Sequence, residues 1–177
     1  GSREVKKINT IVKNFKKLLN VRLINRKLNR GVSYALNIGI KEANGDYISW
    51  LSSDDYFHPE KLETQIKLIK NKDICLTGFY CVNNKNKILK NVKYNRMFFS
   101  PIDHILIRDN FNFCTMLLKK KNLIKAGLFD ESLRHVQDYD MMFKLFKKHK
   151  PIILNKCLFY SRHHHGQSSV LQRKNAF

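Results

Sequence analysis

Three short stretches carry side chains that could do chemistry. The first is Ser52-Ser53-Asp54-Asp55. Adjacent carboxylates repel unless a cation or hydrogen-bond donors lie nearby. A hard divalent ion such as Mg2+ or Mn2+ takes oxygen ligands and commonly shares them with substrate phosphates. The plainer reading is that Asp54 or Asp55 caps a turn. The second stretch is Gln137-Asp138-Tyr139-Asp140. Asp138 reads as a helix N-cap accepting backbone N–H bonds, or as a general base that takes the proton of an attacking hydroxyl. The two roles are compatible, because a cap also fixes the side chain; Asp140 is then structural. The third is His163-His164-His165. On an extended chain alternate side chains face opposite ways, so His164 points away from its two neighbours. One of these imidazoles can reach a metal or a diphosphate, but three in a row cannot form one site; the plain alternative is a solvated surface histidine.

These residues need elements to hold them. Val5, Ile8, Ile11, Val12, Phe15, Leu18 and Leu19 recur at helical spacing with Lys between them, which predicts an amphipathic helix from Arg3 to Leu19. Val21 to Ile24 reads as a short strand. Ser33 to Glu42 reads as a helix stopped by Asn44-Gly45. Tyr47 to Leu51 is a compact apolar run, read as a buried strand, and Ser52 to His58 is the loop at its carboxyl end. Pro59 opens a helix that places Leu62, Ile66 and Ile69 on one face. Ile74 to Val82 and Ile88 to Val92 form a hairpin about the turn Asn83 to Asn86. Phe113 to Leu118 reads as a strand, Lys120 to Ala126 as a helix ending at Gly127, and Asp138 to His149 as a longer helix. Ile152 to Asn155 and Cys157 to Arg162 read as final strands. Lys93 to Asn112 gives no clear pattern. Alternating strands and helices argue an α/β layer fold with a mainly parallel sheet, and such sheets bind ligands at the carboxyl ends of their strands.

Composition sets the class. A chain of 177 residues fits a single domain, and 43% hydrophobic with 27% charged residues is an ordinary globular balance. The 34 Lys and Arg outnumber 14 Asp and Glu, a formal net charge of +20. Such a surface attracts anions: phosphorylated sugars and their carriers, anionic lipid or nucleic acid. No zinc-finger, RRM or KH signature appears and the basic residues are dispersed, so nucleic acid is not the expected partner. Cys75, Cys81, Cys114 and Cys157 form no CxxC pair, and their apolar neighbours predict buried free thiols in a reducing compartment. With no apolar run near the ~20 residues of a membrane span and no signal peptide, the sequence reads as cytoplasmic, with its basic face against an anionic membrane.

Each signal is modest alone; their order is specific. Asn29-x-Gly31-x-Ser33-x-Ala35-x-Asn37-x-Gly39, Ala43-x-Gly45-Asp46-Tyr47-Ile48 and Leu51-Ser52-Ser53-Asp54-Asp55 together resemble the donor-binding half of family 2 glycosyltransferases. Gly127-Leu128-Phe129-Asp130-Glu131-x-Leu133 with Gln137-Asp138-Tyr139-Asp140 looks like the second half, and Arg162-x-His164-x-Gly166-Gln167-x-Ser169 is similar to the closing motif. The resemblance implies a GT-A fold, a Rossmann-like mixed sheet flanked by helices. It implies one domain over 1–177, with 1–80 binding the donor and 81–177 holding the acceptor and catalytic parts. It implies an inverting, metal-dependent transferase. This would move a hexosyl or N-acetylhexosaminyl group from a nucleotide sugar, UDP-linked by the same analogy, to a carbohydrate or lipid-linked acceptor. By that analogy Asp54 touches the donor ribose, and Asn29, Gly31 and Asn37 lie close to the nucleotide. Asp55 holds Mn2+ or Mg2+, His164 adds a metal or diphosphate ligand, and Asp138 is the base. The alternative is a nucleotide-sugar or polyanion-binding module without turnover.

Two departures from the family pattern are local: Ser52 stands where many relatives carry Asp, and Gln137 where Glu is frequent. The third is larger. The family opens with a strand ending in a Pro-Thr-Tyr-Asn-like turn, a helix, and a second strand ending in Asp-Asp-Gly-Ser. Here only Gly1-Ser2 precedes the first helix. Two core strands and the base-binding Asp are therefore expected from a further segment or from self-association, which would cover the open sheet edge.

Overall fold

A computed structural model describes residues 5–94 and 111–164. The fold centres on one nine-residue run. Ile74–Val82 (β3) is apolar on both faces, and all its residues but Tyr80 are buried. A strand hidden on both sides sits mid-sheet, and β3 does. Met116–Lys119 (β5) pairs antiparallel with its first half, and Ile88–Val92 (β4) with its second. Ile152–Arg162 (β6) runs parallel to it along the other edge, from Cys75 opposite Ile152 to Val82 opposite Arg162. Tyr47–Ile48 (β1) lies outside β5, and Tyr56–Phe57 (β2) outside β6, both antiparallel. The order is β1-β5-β3-β6-β2, with β4 also on β3.

Helices cover both faces. Val32–Glu42 (α2), Lys120–Lys125 (α4) and Gln137–Phe146 (α5) bury Ile40, Leu123, Met141, Met142 and Leu145 with Ile74, Leu76, Met116 and Phe159. Lys61–Ile69 (α3) covers the opposite face, its Ile69 packed with Cys75 and Leu117. Val5–Phe15 (α1) precedes them, with Ile11 and Phe15 exposed. Gly78 sits at a close approach in the sheet: a Cβ there would meet the Val92 carbonyl oxygen at 2.5 Å. All four cysteines are free and buried. Among the described residues no helix is long and apolar enough to cross a membrane.

Several expectations need correction. The sheet is mixed, with β3 and β6 its one parallel pair among the described strands. Val21–Ile24 is not a strand; no ladder partner among the described residues reaches it, and Leu23 and Ile24 are exposed. The strand read over Tyr47 to Leu51 leaves the ladder after Ile48, and β2 falls inside the expected Ser52–His58 loop. Phe113–Thr115 is a 3-10 turn leading into β5. The two final strands are one, with Asn155 and Lys156 bulged out where Thr77 pairs with Leu154 and Gly78 with Cys157. On α3 the inner face is Lys61, Gln65 and Ile69, while Leu62 and Ile66 are 42% and 53% exposed.

Candidate active site

After Ile48 the backbone leaves the ladder, and side chains take over its anchoring. Ser49 Oγ donates to the Met116 carbonyl at 3.0 Å. Trp50 packs against Phe113 and Phe129, with ring centroids 5.4 and 6.0 Å away. Ser52 Oγ lies 3.6 Å from Cys114 Sγ, and its carbonyl accepts the Asp55 N–H at 3.2 Å. The chain therefore turns at Ser53-Asp54 and presents two carboxylates at the rim of the sheet.

The end of β6 meets them there. Arg162 N–H donates to Asp55 Oδ1 at 2.8 Å, and Arg162 Nε donates to the Asp54 carbonyl at 3.0 Å. Arg162 Nη1 reaches the Asn83 and Asn84 carbonyls at 3.4 and 3.5 Å, tying the β3–β4 turn to the same point. His164 Nε2 lies 3.1 Å from Asp54 Oδ2. His163 faces solvent and its N–H bonds to the Val82 carbonyl. His165, Gly166, Gln167 and Ser169 lie outside the described residues.

Asp55 is half-buried, and its pKa rises from 3.8 to about 6. Burial is the largest cause and the Asp54 charge adds to it. The Arg162 N–H and the Arg162 and His164 charges oppose the rise. A carboxylate held in that way gains from a nearby cation. Among the described residues no group of three or more His, Cys, Asp or Glu side chains is arranged to hold a metal ion. Asp54, Asp55 and His164 do offer the oxygen and nitrogen donor types that divalent cations take.

The other expected residues fall elsewhere. Asn29 Oδ1 accepts the Gly31 N–H at 3.0 Å, and Gly31 caps α2 with φ 91°, a conformation glycine adopts freely. Both border a cleft of about 710 Å3 shared with Arg30, Ser33, Glu131 and Arg134. Asn37 is buried in α2. Its Nδ2 donates to the Phe129 carbonyl (2.9 Å) and Glu131 Oε1 (3.1 Å), and its Oδ1 accepts the Phe129 N–H at 2.9 Å. Asn37 thus pins the loop after α4 to α2. Asp138 is not the N-cap: Val136 is, with a left-handed φ of 57° that a β-branched residue adopts only under constraint. Asp138 stands half-buried in the first turn of α5 and accepts the Tyr139 N–H at 3.1 Å. The structure thus joins Asp54, Asp55 and His164 directly, gathers Asn29, Gly31 and Asn37 around residues 129–134, and carries Asp138 on α5.

Sequence reasoning missed two contributors. Arg162 was a motif letter, yet its side chain and N–H clamp both carboxylate residues. Lys61 and Gln65, polar residues buried on α3, are the other; the available signal is their own i, i+4 spacing continued by Ile69.

Comparison with known proteins agrees with this architecture. The sequence profile of the family described as glycosyl transferase family 2 matches residues 5–126. An uncharacterized glycosyltransferase of Rickettsia prowazekii is 36% identical over 155 residues, covering 81% of this chain and 48% of that protein. One of Methanocaldococcus jannaschii is 30% identical over 122 residues, covering 67% of this chain and 41% of that protein. This chain thus spans about half the length of these relatives. The crystal structure of S. aureus TarS 1–349 in complex with UDP-GlcNAc superposes with a TM-score of 0.71 at 20% identity, covering 91% of this chain and 47% of that one. The fold is the GT-A fold.

Proposed function

The chain belongs to glycosyl transferase family 2, and from that premise we propose that it transfers a sugar from a UDP-linked donor to an acceptor hydroxyl with inversion. One observation carries this reading: Asp54, Asp55, Arg162 and His164 converge where the parallel strands β3 and β6 end. Asp54 contacts the donor ribose. Asp55 and His164 would hold a Mn2+ or Mg2+ ion, which when bound offsets charge on the departing diphosphate. Asn29 and Gly31 lie at the amino end of α2, where free N–H groups and the helix dipole favour an anionic ligand. Asn37 serves the donor site at one remove, through the loop it pins. The Asp138 carboxylate accepts the proton of the acceptor hydroxyl. As that oxygen bonds to the anomeric carbon, the carbon–oxygen bond to the diphosphate breaks, and a single displacement inverts the centre.

The S. aureus protein was solved with UDP and with UDP-GlcNAc, which makes a UDP-linked hexose or N-acetylhexosamine the first donor to test. The proposed acceptor is a carbohydrate or a lipid-linked sugar. The basic surface would hold the protein beside anionic lipid, at about 1 kcal/mol per well-placed Lys or Arg. The outer edge of β1 and the exposed Leu23 and Ile24 would be covered by a further strand-forming segment or a second copy.

Calorimetric titration of UDP with and without Mn2+, on the protein and on Asp55→Ala, tests the site. Metal-dependent binding weakened at least tenfold in the variant is the expected result. Binding that ignores both Mn2+ and the substitution would refute the metal-bridged donor site. Binding of a UDP-sugar without its turnover would favour the non-catalytic module.

A further inference from the structure

Lys61 is wholly buried, as is Gln65 one turn later. Its Nζ donates to Gln65 Oε1 at 2.8 Å and to Ser49 Oγ at 3.0 Å, lies 3.5 Å from the Met116 carbonyl, and sits 4.2 Å from the centre of the Phe57 ring. Gln65 continues the network, donating through Nε2 to the Cys75 carbonyl at 2.9 Å and the Thr115 carbonyl at 3.0 Å. One lysine thus ties α3 to β2, to β5 and to the segment that leaves β1. The titratable groups facing it are the Cys75 and Cys114 thiols, both pushed up by burial, and among the described residues no carboxylate pairs with it. Burial pulls the lysine down to about 8, so it is largely charged at neutral pH.

An unpaired buried cation is costly, and a leucine or methionine would fill the same space more cheaply. The network shows what the ammonium does there. Beyond Ile48 the chain has lost its ladder, and Ser49 is the first residue that must be held by other means. Of the anchors on this segment, Lys61 fixes Ser49, Cys114 meets Ser52, and Arg162 holds Asp54 and Asp55. We propose that Lys61 is a positioning residue, whose ammonium fixes the Ser49–Asp55 segment and so sets where Asp54 and Asp55 meet the donor. The donor's place in that statement rests on the function proposed above; the fixing of the segment does not.

Trp50, the sole tryptophan, lies inside the held segment and reports on it. Lys61→Met keeps the side-chain length without a donor, and Ser49→Ala removes the receiving oxygen while leaving the lysine. In both variants Trp50 emission should shift to the red, and amide exchange over residues 49–55 should quicken at least tenfold. The thermal midpoint of Lys61→Met should hold or rise. UDP affinity with Mn2+ should fall at least tenfold in each. Unchanged emission and exchange in both variants would overturn the proposal, as would loosening spread evenly over the chain with a lowered midpoint. If the unaltered protein binds no UDP, the donor site fails, while emission and exchange still decide the role of Lys61.

Discussion

Asn37→Leu separates a residue that holds the fold from one that waits for a ligand. Leucine keeps the volume of the side chain but offers no hydrogen bond. Asn37 is 4% exposed, and its amide satisfies both the N–H and the carbonyl of Phe129, a residue only 3% exposed. With leucine, both backbone groups stay inside without a partner. Each such group costs about 1–3 kcal/mol. The Glu131 carboxylate also loses a partner, but it lies at the surface 3.6 Å from Arg30 and adds little. The expected loss is therefore about 2–6 kcal/mol, a large share of the roughly 5–15 kcal/mol that holds a domain together. Urea unfolding followed through Trp50 emission measures it. Trp50 packs edge-on against the Phe129 ring, so native emission should shift as well. A loss below about 1 kcal/mol with unchanged native emission would refute the reasoning, because the 127–131 loop would then hold without Asn37.

Two further predictions concern the frame around the site. A Cβ on Gly78 would lie 2.5 Å from the Val92 carbonyl oxygen and 3.0 Å from Cys157 Sγ. The oxygen belongs to a paired strand and cannot swing aside, so Gly78→Ala should cost about 1–3 kcal/mol; an unchanged thermal midpoint would contradict this. Lys61 gives a pH signature. Its folded-state pKa is about 8 against an ordinary 10.5. Between those values the unfolded chain carries a proton that the folded chain lacks, so stability rises with pH across that window. The charged form is thus destabilising below it, by about 3 kcal/mol relative to high pH. Subtracting the Lys61→Met stability at each pH removes other titrations. The wild-type-minus-variant difference should climb between pH 8 and 10.5, and a flat difference would refute the assignment.

The chemistry-bearing residues were legible because type and spacing coincide: two carboxylates after an apolar run, and Arg162-x-His164 after another. What the sequence could not show was which of them meet. The periodicity of α3 was legible, but periodicity does not say which stripe the sheet accepts. The Leu62–Ile66 stripe reads as the inner one by hydropathy. The sheet instead presents the Cys75, Thr115 and Met116 carbonyls there, and Lys61 and Gln65 satisfy them. Val21 to Ile24 has strand composition, yet a strand exists only with a ladder partner, and none of the described residues supplies one. The Asp138 cap was misread because it assumed a helix beginning at Asp138, whereas Val136 closes the turn and moves Asp138 into the first turn of α5.

The position of the site follows from strand directions. β3 and β6 are parallel with Val82 opposite Arg162, so their carboxyl ends share one rim. β2 is antiparallel to β6, so its amino end must lie at that same rim. The residues just before β2 are Asp54 and Asp55, and the residue two after Arg162 is His164. Their meeting is set by register: Tyr56 opposite Tyr160 puts Asp54 beside Arg162, the contact made by Nε. A slip of one residue would turn each side chain of β2 to the other face. Against that slip stand the rings. Tyr56 stacks on Tyr160 at 4.6 Å and 9°, and Tyr80 continues the row from β3 at 5.2 Å. Cross-strand aromatic pairs contribute roughly 0.2–1 kcal/mol each, modest for stability but enough to bias a two-residue strand toward one register. These tyrosines are thus part of how Asp54 and Asp55 come to lie beside Arg162 and His164.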